Sequence, residues 1–235
     1  MSELADLYAV QLSDIAIAQA KHRLSHLPEM LALASAKSDV ASITMSLNEI
    51  GKRAESAKNE IAEIEKIAHV NDASIVRFNK QLKTVIAPRE AEALQHEIAT
   101  CAQERSVLDD RELELMELVD LCDRETQQVT AQLHSAAATL ADAERDFAAA
   151  RNSVQGELDQ FVGERSAQVL VVPASLLSIY EAKRKHRPDG AIAKLHGPTC
   201  GACHLDIAQG EIAALRAYPA GERPECPHCG SFILF

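Results

Sequence analysis

The stretch Leu47-Asn48-Glu49-Ile50-Gly51-Lys52-Arg53-Ala54-Glu55-Ser56-Ala57-Lys58-Asn59-Glu60-Ile61-Ala62-Glu63-Ile64 decides the fold of this chain. Its apolar residues Leu47, Ile50, Ala54, Ala57, Ile61 and Ile64 alternate three and four apart, with polar residues filling most of the space between. That 3.5-residue repeat puts one apolar seam on a helix and implies a left-handed supercoil with a partner helix. Followed outward in both directions, the repeat runs from Leu33 to Val85 without a skip, and fifteen of its sixteen positions are apolar. A second run goes from Leu94 through Ile98, Leu108, Leu115, Val119, Leu133, Leu140 and Val154 to Phe161, with sixteen of twenty positions apolar. At the chain-wide 47% hydrophobic content, about 17 of these 36 positions would be apolar, against the 31 found.

The two runs are separated by residues 86–93, with Pro88 between them. Proline is excluded from a helix interior but suits a first turn. The spacing therefore predicts an antiparallel helical hairpin with its tip near residues 84–90. At about 1.5 Å per residue, residues 33–85 form an arm of roughly 80 Å. Pairing two arms from two copies of the chain satisfies the same pattern. The second helix outruns the first, and residues 3–26, ended by Pro28, can cover its segment 142–165 with Leu4, Leu7, Val10, Ile15, Ile17 and Leu24. Cys101 and Cys122 fall on seam positions and read as small core residues. Asn71 and Arg105 are polar seam positions that a fold about residue 87 brings together, either as a register-fixing pair or as a wet tip.

Composition agrees with this division. The chain has 235 residues, but only 3% are aromatic and none is Trp. Long helices of Ala, Leu, Ile and Val fit that content better than a large α/β enzyme does. Residues 1–172 hold three Gly and two Pro, and residues 173–235 hold six of each, so the turn-rich part is C-terminal. The net charge of −11 splits into −12 before residue 173 and +1 after it, which argues against a nucleic-acid-binding arm. No apolar run reaches the roughly 18 residues of a membrane span, and the acidic start Met1-Ser2-Glu3-Leu4-Ala5-Asp6 lacks the layout of a signal peptide. A cytoplasmic protein with reduced cysteines is the expectation, so clustered cysteines point to metal.

Four cysteines form two pairs, Cys200-Gly201-Ala202-Cys203 and Cys226-Pro227-His228-Cys229, with 22 residues between the pairs. Two C-x2-C turns can place four thiolates around one tetrahedral ion, and one structural zinc is the expected cofactor. Iron in the same S4 geometry is the rival. A redox dithiol needs only one pair. Gly201 and Gly230 are expected to supply positive φ in the two turns, and His204 and His228 to lie beside the ligands. Four thiolates leave no open position for water, so zinc catalysis is disfavoured, and no other catalytic set appears. Around the turns the sequence predicts strands over 191–196 and 231–235 and a short helix over 211–217, the layout of a zinc ribbon. A helix over 174–185, opened by Pro173, precedes it. That helix ends in the basic run Lys183, Arg184, Lys185 and Arg187, a candidate contact for nucleic acid or a partner, with Tyr218, Phe232 and Phe235 available to stack on bases. The competing reading is that these cations complement a helix C-terminus and the aromatics form the ribbon core.

The layout resembles the bacterial coiled-coil plus C4-type zinc-ribbon family over nearly the whole chain. The most specific segments are Ala87-Pro88-Arg89-Glu90-Ala91-Glu92-Ala93-Leu94-Gln95-His96-Glu97-Ile98, Val172-Pro173-Ala174-Ser175-Leu176-Leu177-Ser178-Ile179-Tyr180 and the two cysteine pairs. The resemblance implies that Cys200, Cys203, Cys226 and Cys229 are zinc ligands and that residues 1–165 form a long helical hairpin. It also implies a non-enzymatic role at the level of transcription or RNA. Ala87 departs from the capping residue, often Asn, that family members carry at the tip. The combined expectation is a mainly α protein: a hairpin over 1–170, then a helix and C4 zinc ribbon over 171–235. It would act as an adaptor or regulator touching nucleic acid or the transcription machinery through the ribbon. The alternative is a pure protein-interaction scaffold with the acidic hairpin as its binding arm. No membrane and no small-molecule substrate are expected as partners.

Overall fold

The computed structural model describes residues 3–219 and 222–235; the Met1-Ser2 start lies outside the described residues. Four helices come first: α1 (Glu3–Ser25), α2 (Glu29–Leu82), α3 (Pro88–Val169) and α4 (Ala174–His186). Then follow β1 (Ile192–His196), β2 (Thr199–Cys200), α5 (Gln209–Arg216) and β3 (Phe232–Leu234). The expected long hairpin and small C-terminal sheet are both present. The chain divides into two compact units, residues 31–144 and residues 1–30 with 145–235.

In the first unit α2 and α3 run antiparallel. Arg53 opposes Glu125 at 3.0 Å, Arg111 opposes Glu60 at 2.8 Å, and Asn71 opposes Glu104 at 3.3 Å, as a fold about residue 87 requires. Its buried residues are Ala36, Ile50, Ala57, Ile64, Ala68, Leu115 and Cys122, and each is a heptad position. Cys122 is wholly buried, as a small core residue should be. Pro88 is the first residue of α3, and the Ala87 carbonyl accepts the N–H groups of Glu90 and Ala91. Of the two readings of Asn71 and Arg105, the direct pair is not formed. Asn71 donates to Glu104, while Arg105 pairs with Asp72 at 3.5 Å and with Asp109. Charged neighbours outside the seam offered each a better partner.

The second unit holds the two chain ends. The α1 residues Ile17 and Ala20 pack on Leu158 and Phe161 of α3. Here the seam of α3 passes through Leu158 rather than Glu157, which instead pairs with Arg23 on the surface. The next seam layers are polar. Ser13 donates to Gln168 at 2.9 Å, and the carboxylate of Asp14, only 2% exposed, accepts from Arg165 at 2.6 Å. Asp14 also accepts from the Tyr180 hydroxyl at 2.8 Å and pairs with Arg184 at 3.2 Å. Burial, reinforced by Asp14, holds the Tyr180 phenol well above its usual pKa. Composition changes at residue 173 and the expected domain boundary lies at 170–171, whereas the compact units part within α3. The reason is that Leu7 and Val10 of α1 share one core with Val172, Leu176, Tyr180, Ile192 and Phe232.

The sheet has the order β2-β1-β3. β1 pairs antiparallel with β2, Leu195 opposite Cys200, and parallel with β3, Ile192 opposite Phe232. α5 returns the chain between them, burying Ile212 and Leu215 in a second core with Ala193, Ile207 and Ile233.

Candidate metal centre

The sequence places Pro198, Cys200, Cys203 and Ile207 in one segment and Pro224, Cys226, Cys229 and Ile233 in another, 26 residues later. The two segments adopt one backbone pattern. Cys200 N–H donates to the Leu205 carbonyl at 3.0 Å, as Cys226 N–H does to Ser231 at 2.8 Å. His204 N–H returns to the Cys200 carbonyl at 2.9 Å, and Gly230 N–H to Cys226 at 2.8 Å. Ile207 N–H donates to Pro198 at 2.9 Å, and Ile233 N–H to Pro224 at 2.8 Å. Each pair of cysteines is thus seated in the same ten-residue turn, a duplication that a search for shared Pro and Ile positions around the cysteines would have found.

The sequence predicts positive φ at Gly201 and Gly230. Gly230 has φ 72°, but the equivalent seat in the first turn is His204, with φ 60°. Gly201 is needed for a different reason: a Cβ there would meet the Lys194 carbonyl oxygen of β1 at 2.6 Å. Gly201 N–H donates to that same oxygen at 3.0 Å, which draws the turn against the sheet.

The two turns bring the four sulfurs within 4.8 Å of one another. Cys200 lies 3.9 Å from Cys229, and Cys203 lies 3.9 Å from Cys226. A tetrahedron with metal–sulfur bonds of about 2.3 Å has edges of about 3.8 Å. All four donors are sulfur, the set that zinc and iron share. The cluster can therefore hold a metal ion, with Cys200 and Cys226 buried and the other pair half-buried. Backbone N–H groups at Leu205, His228, Cys229 and Ser231 point at the sulfurs. Burial pushes the Cys226 thiol up to about 12, against two such N–H bonds. At Cys229 burial acts the same way, but hydrogen bonds from Ser231 and the neighbouring thiols outweigh it and lower the thiol to about 7. Ser231, which sequence reasoning did not single out, is fully buried between Cys229 (3.2 Å) and the Gly190 carbonyl (2.5 Å). His204 and His228 are exposed, and neither belongs to the cluster.

The basic run is divided by the fold. Lys183 donates to the Gly230 carbonyl at 2.5 Å, pairs with Glu225 at 2.8 Å and covers the Phe232 ring at 4.3 Å. Arg184 turns to Asp14. Lys185 and Arg187 are exposed. Phe232 is buried beneath Lys183 and has no face for a base, whereas Tyr218 and Phe235 are about half exposed, Phe235 beneath Arg216. No helix among the described residues is long and apolar enough to cross a membrane.

A family model described as the CT398-like coiled coil hairpin domain matches residues 10–188. An uncharacterized protein of Mycobacterium tuberculosis is 25% identical, over 94% of this chain and 90% of its own length. Among solved structures, one from Mycobacterium smegmatis superposes with a TM-score of 0.81 at 23% identity, covering 100% of this chain and 99% of that one. CT398 from Chlamydia trachomatis superposes at 0.77 with 19% identity, covering 98% and 96%. At those identities the structures share the fold.

Proposed function

This chain belongs to the CT398-like coiled coil hairpin domain family, and from that premise we propose that it is a non-enzymatic adaptor. Its ribbon is folded around one structural zinc ion held by Cys200, Cys203, Cys226 and Cys229, and its acidic hairpin is the arm that binds a protein partner. The observation that carries this reading is the engagement of Lys183 and Arg184. Both are tied inward, to the second cysteine turn and to Asp14, which takes half of the basic run away from any phosphate. The family's solved members supply the fold and no activity. A closed four-sulfur site has no vacant position for water and serves stability rather than chemistry.

A second reading, contact with nucleic acid or the transcription machinery through the ribbon, is favoured by exposed Lys185 and Arg187 and by the half-exposed Phe235 beneath Arg216. The discriminating experiment is a titration of the full chain with single-stranded RNA and duplex DNA at rising salt. The adaptor reading expects no binding at low salt. Binding that weakens with salt, and is lost in Lys185→Ala and Arg187→Ala, would replace it with the second reading. Elemental analysis of purified protein should find one zinc per chain, and iron in its place would correct the cofactor.

A further inference from the structure

The first half of α1 and its second half are held by different things. Residues 13–25 lean on α3: Ser13 on Gln168, Asp14 on Arg165, Ile17 and Ala20 on Leu158, and Arg23 on Glu157. Residues 3–12 lean on the sheet and on residues 172–180 beside it. Leu7 and Val10 pack with Ile192 and Phe232 and also with Val172, Leu176 and Tyr180, and Gln11, 2% exposed, clasps one residue of β1 through both its N–H and its carbonyl. Its Nε2 donates to the Ile192 carbonyl at 2.8 Å, and its Oε1 accepts the Ile192 N–H at 2.7 Å. Both polar ends of this buried amide side chain are satisfied by the backbone of Ile192, so its fit depends on where β1 lies.

The position of β1 is set in turn by the cysteine turns. Ile192 is opposite Phe232 of β3, and Phe232 N–H donates to the Ala191 carbonyl at 2.9 Å. Ser231, in contact with the Cys229 sulfur, donates to the Gly190 carbonyl at 2.5 Å. On its other side β1 pairs with Cys200 itself. A small ribbon of this kind has little apolar core, and its metal supplies much of its folding energy.

We infer that metal loading of the four-cysteine cluster governs docking of the first three turns of α1: with metal bound, Gln11 and Leu7 are held on β1, and without it residues 3–12 come free while 13–25 stay on α3. This rests on the reading that the cluster holds a metal ion, and on no particular partner. Freed, the segment presents Leu4, Leu7, Tyr8 and Val10, an apolar face that is covered in the docked state.

The test is amide hydrogen exchange by mass spectrometry on the full chain, as purified, after removal of metal with excess chelator, and after zinc alone is added back. Protection at residues 7–12 is expected to fall at least tenfold on chelation and to return with zinc. Protection at residues 17–24 and at 47–68 is expected to hold, the latter showing that the hairpin remains folded. In the metal-loaded Gln11→Ala variant, residues 7–12 are expected to lose protection with the metal content unchanged. Protection at 7–12 that ignores chelation, equal loss over 7–24, or an indifferent Gln11→Ala variant would each overturn the inference. Elemental analysis of the same samples separates the two levels. A chain that never holds metal defeats the metal reading and this inference together, and a chain that holds it without effect on α1 defeats only this one.

Discussion

His204 and Gly230 occupy equivalent seats in the two cysteine turns, and only one of them is glycine. The His204 φ of 60° carries a cost of roughly 1–2 kcal/mol for a side-chain-bearing residue, part of which glycine's greater unfolded-state freedom would take back. His204→Gly is therefore expected to leave ribbon stability unchanged or raise it by up to about 1 kcal/mol, whereas Gly230→Ala should lower it by a similar amount; chemical denaturation of the metal-loaded protein checks both. Gly201→Ala is a harsher change, because its Cβ would press on the Lys194 carbonyl, and it should weaken metal binding measured by chelator competition. The thiols set the pH response. Burial keeps Cys226 protonated at neutral pH, so metal entry must expel its proton, and affinity should fall as pH falls. The fall should steepen below about 7, where Cys229 also takes up a proton. Affinity flat from pH 8 to 6 would contradict this. At this scale the C-x2-C pairs were legible from spacing alone. The inward turn of Lys183 was not, because its partners Glu225 and Gly230 lie some forty residues away and carry no motif.

Among the elements, α2 and α3 were legible because a heptad is a local, repeated signal in which each seam residue predicts the next. α1 was less so. Its buried face, Leu7, Val10, Gln11, Asp14, Ile17 and Ala20, keeps regular helical spacing, but its polar members hide it from a search for apolar residues. Gln11 is justified by Ile192, 181 positions away, and Asp14 by Tyr180, 166 away. Tyr180→Phe removes one donor to a buried carboxylate that keeps its arginines, and should cost about 1–2 kcal/mol in a denaturation experiment. In the hairpin the expectations reverse sign. Gly51 sits in α2 with open space around its Cα, so Gly51→Ala should stabilise that unit by about 0.5–1 kcal/mol. Asn71→Leu gives up one hydrogen bond at 3.3 Å and adds an apolar seam residue, so thermal unfolding should show equal or higher stability.

For the whole molecule, the scarcity of aromatics and the charge of −11 have one cause: most of the chain is a narrow seam of small aliphatic residues with charged outer faces. The two compact units have different sources of stability. Residues 31–144 draw on the repeat and the ion pairs flanking it, and the other unit draws on three small cores, a buried ion cluster and the cysteine turns. Removing metal should therefore leave most far-UV helicity intact while the ribbon unfolds. Collapse of the helical signal on chelation would show that the hairpin cannot stand without the ribbon.

The duplicated turns also break their own symmetry in an informative direction. In the second copy, Ser231 and Phe232 are buried and Gly230 carries Lys183. In the first, His204, Leu205 and Asp206 at the matching positions are exposed. One of the two like turns therefore faces inward, and residues 204–206 of the other face outward. Side chains at His204 and Leu205 can thus vary without disturbing the mounting, whereas Ile207 of the same turn is held in the core.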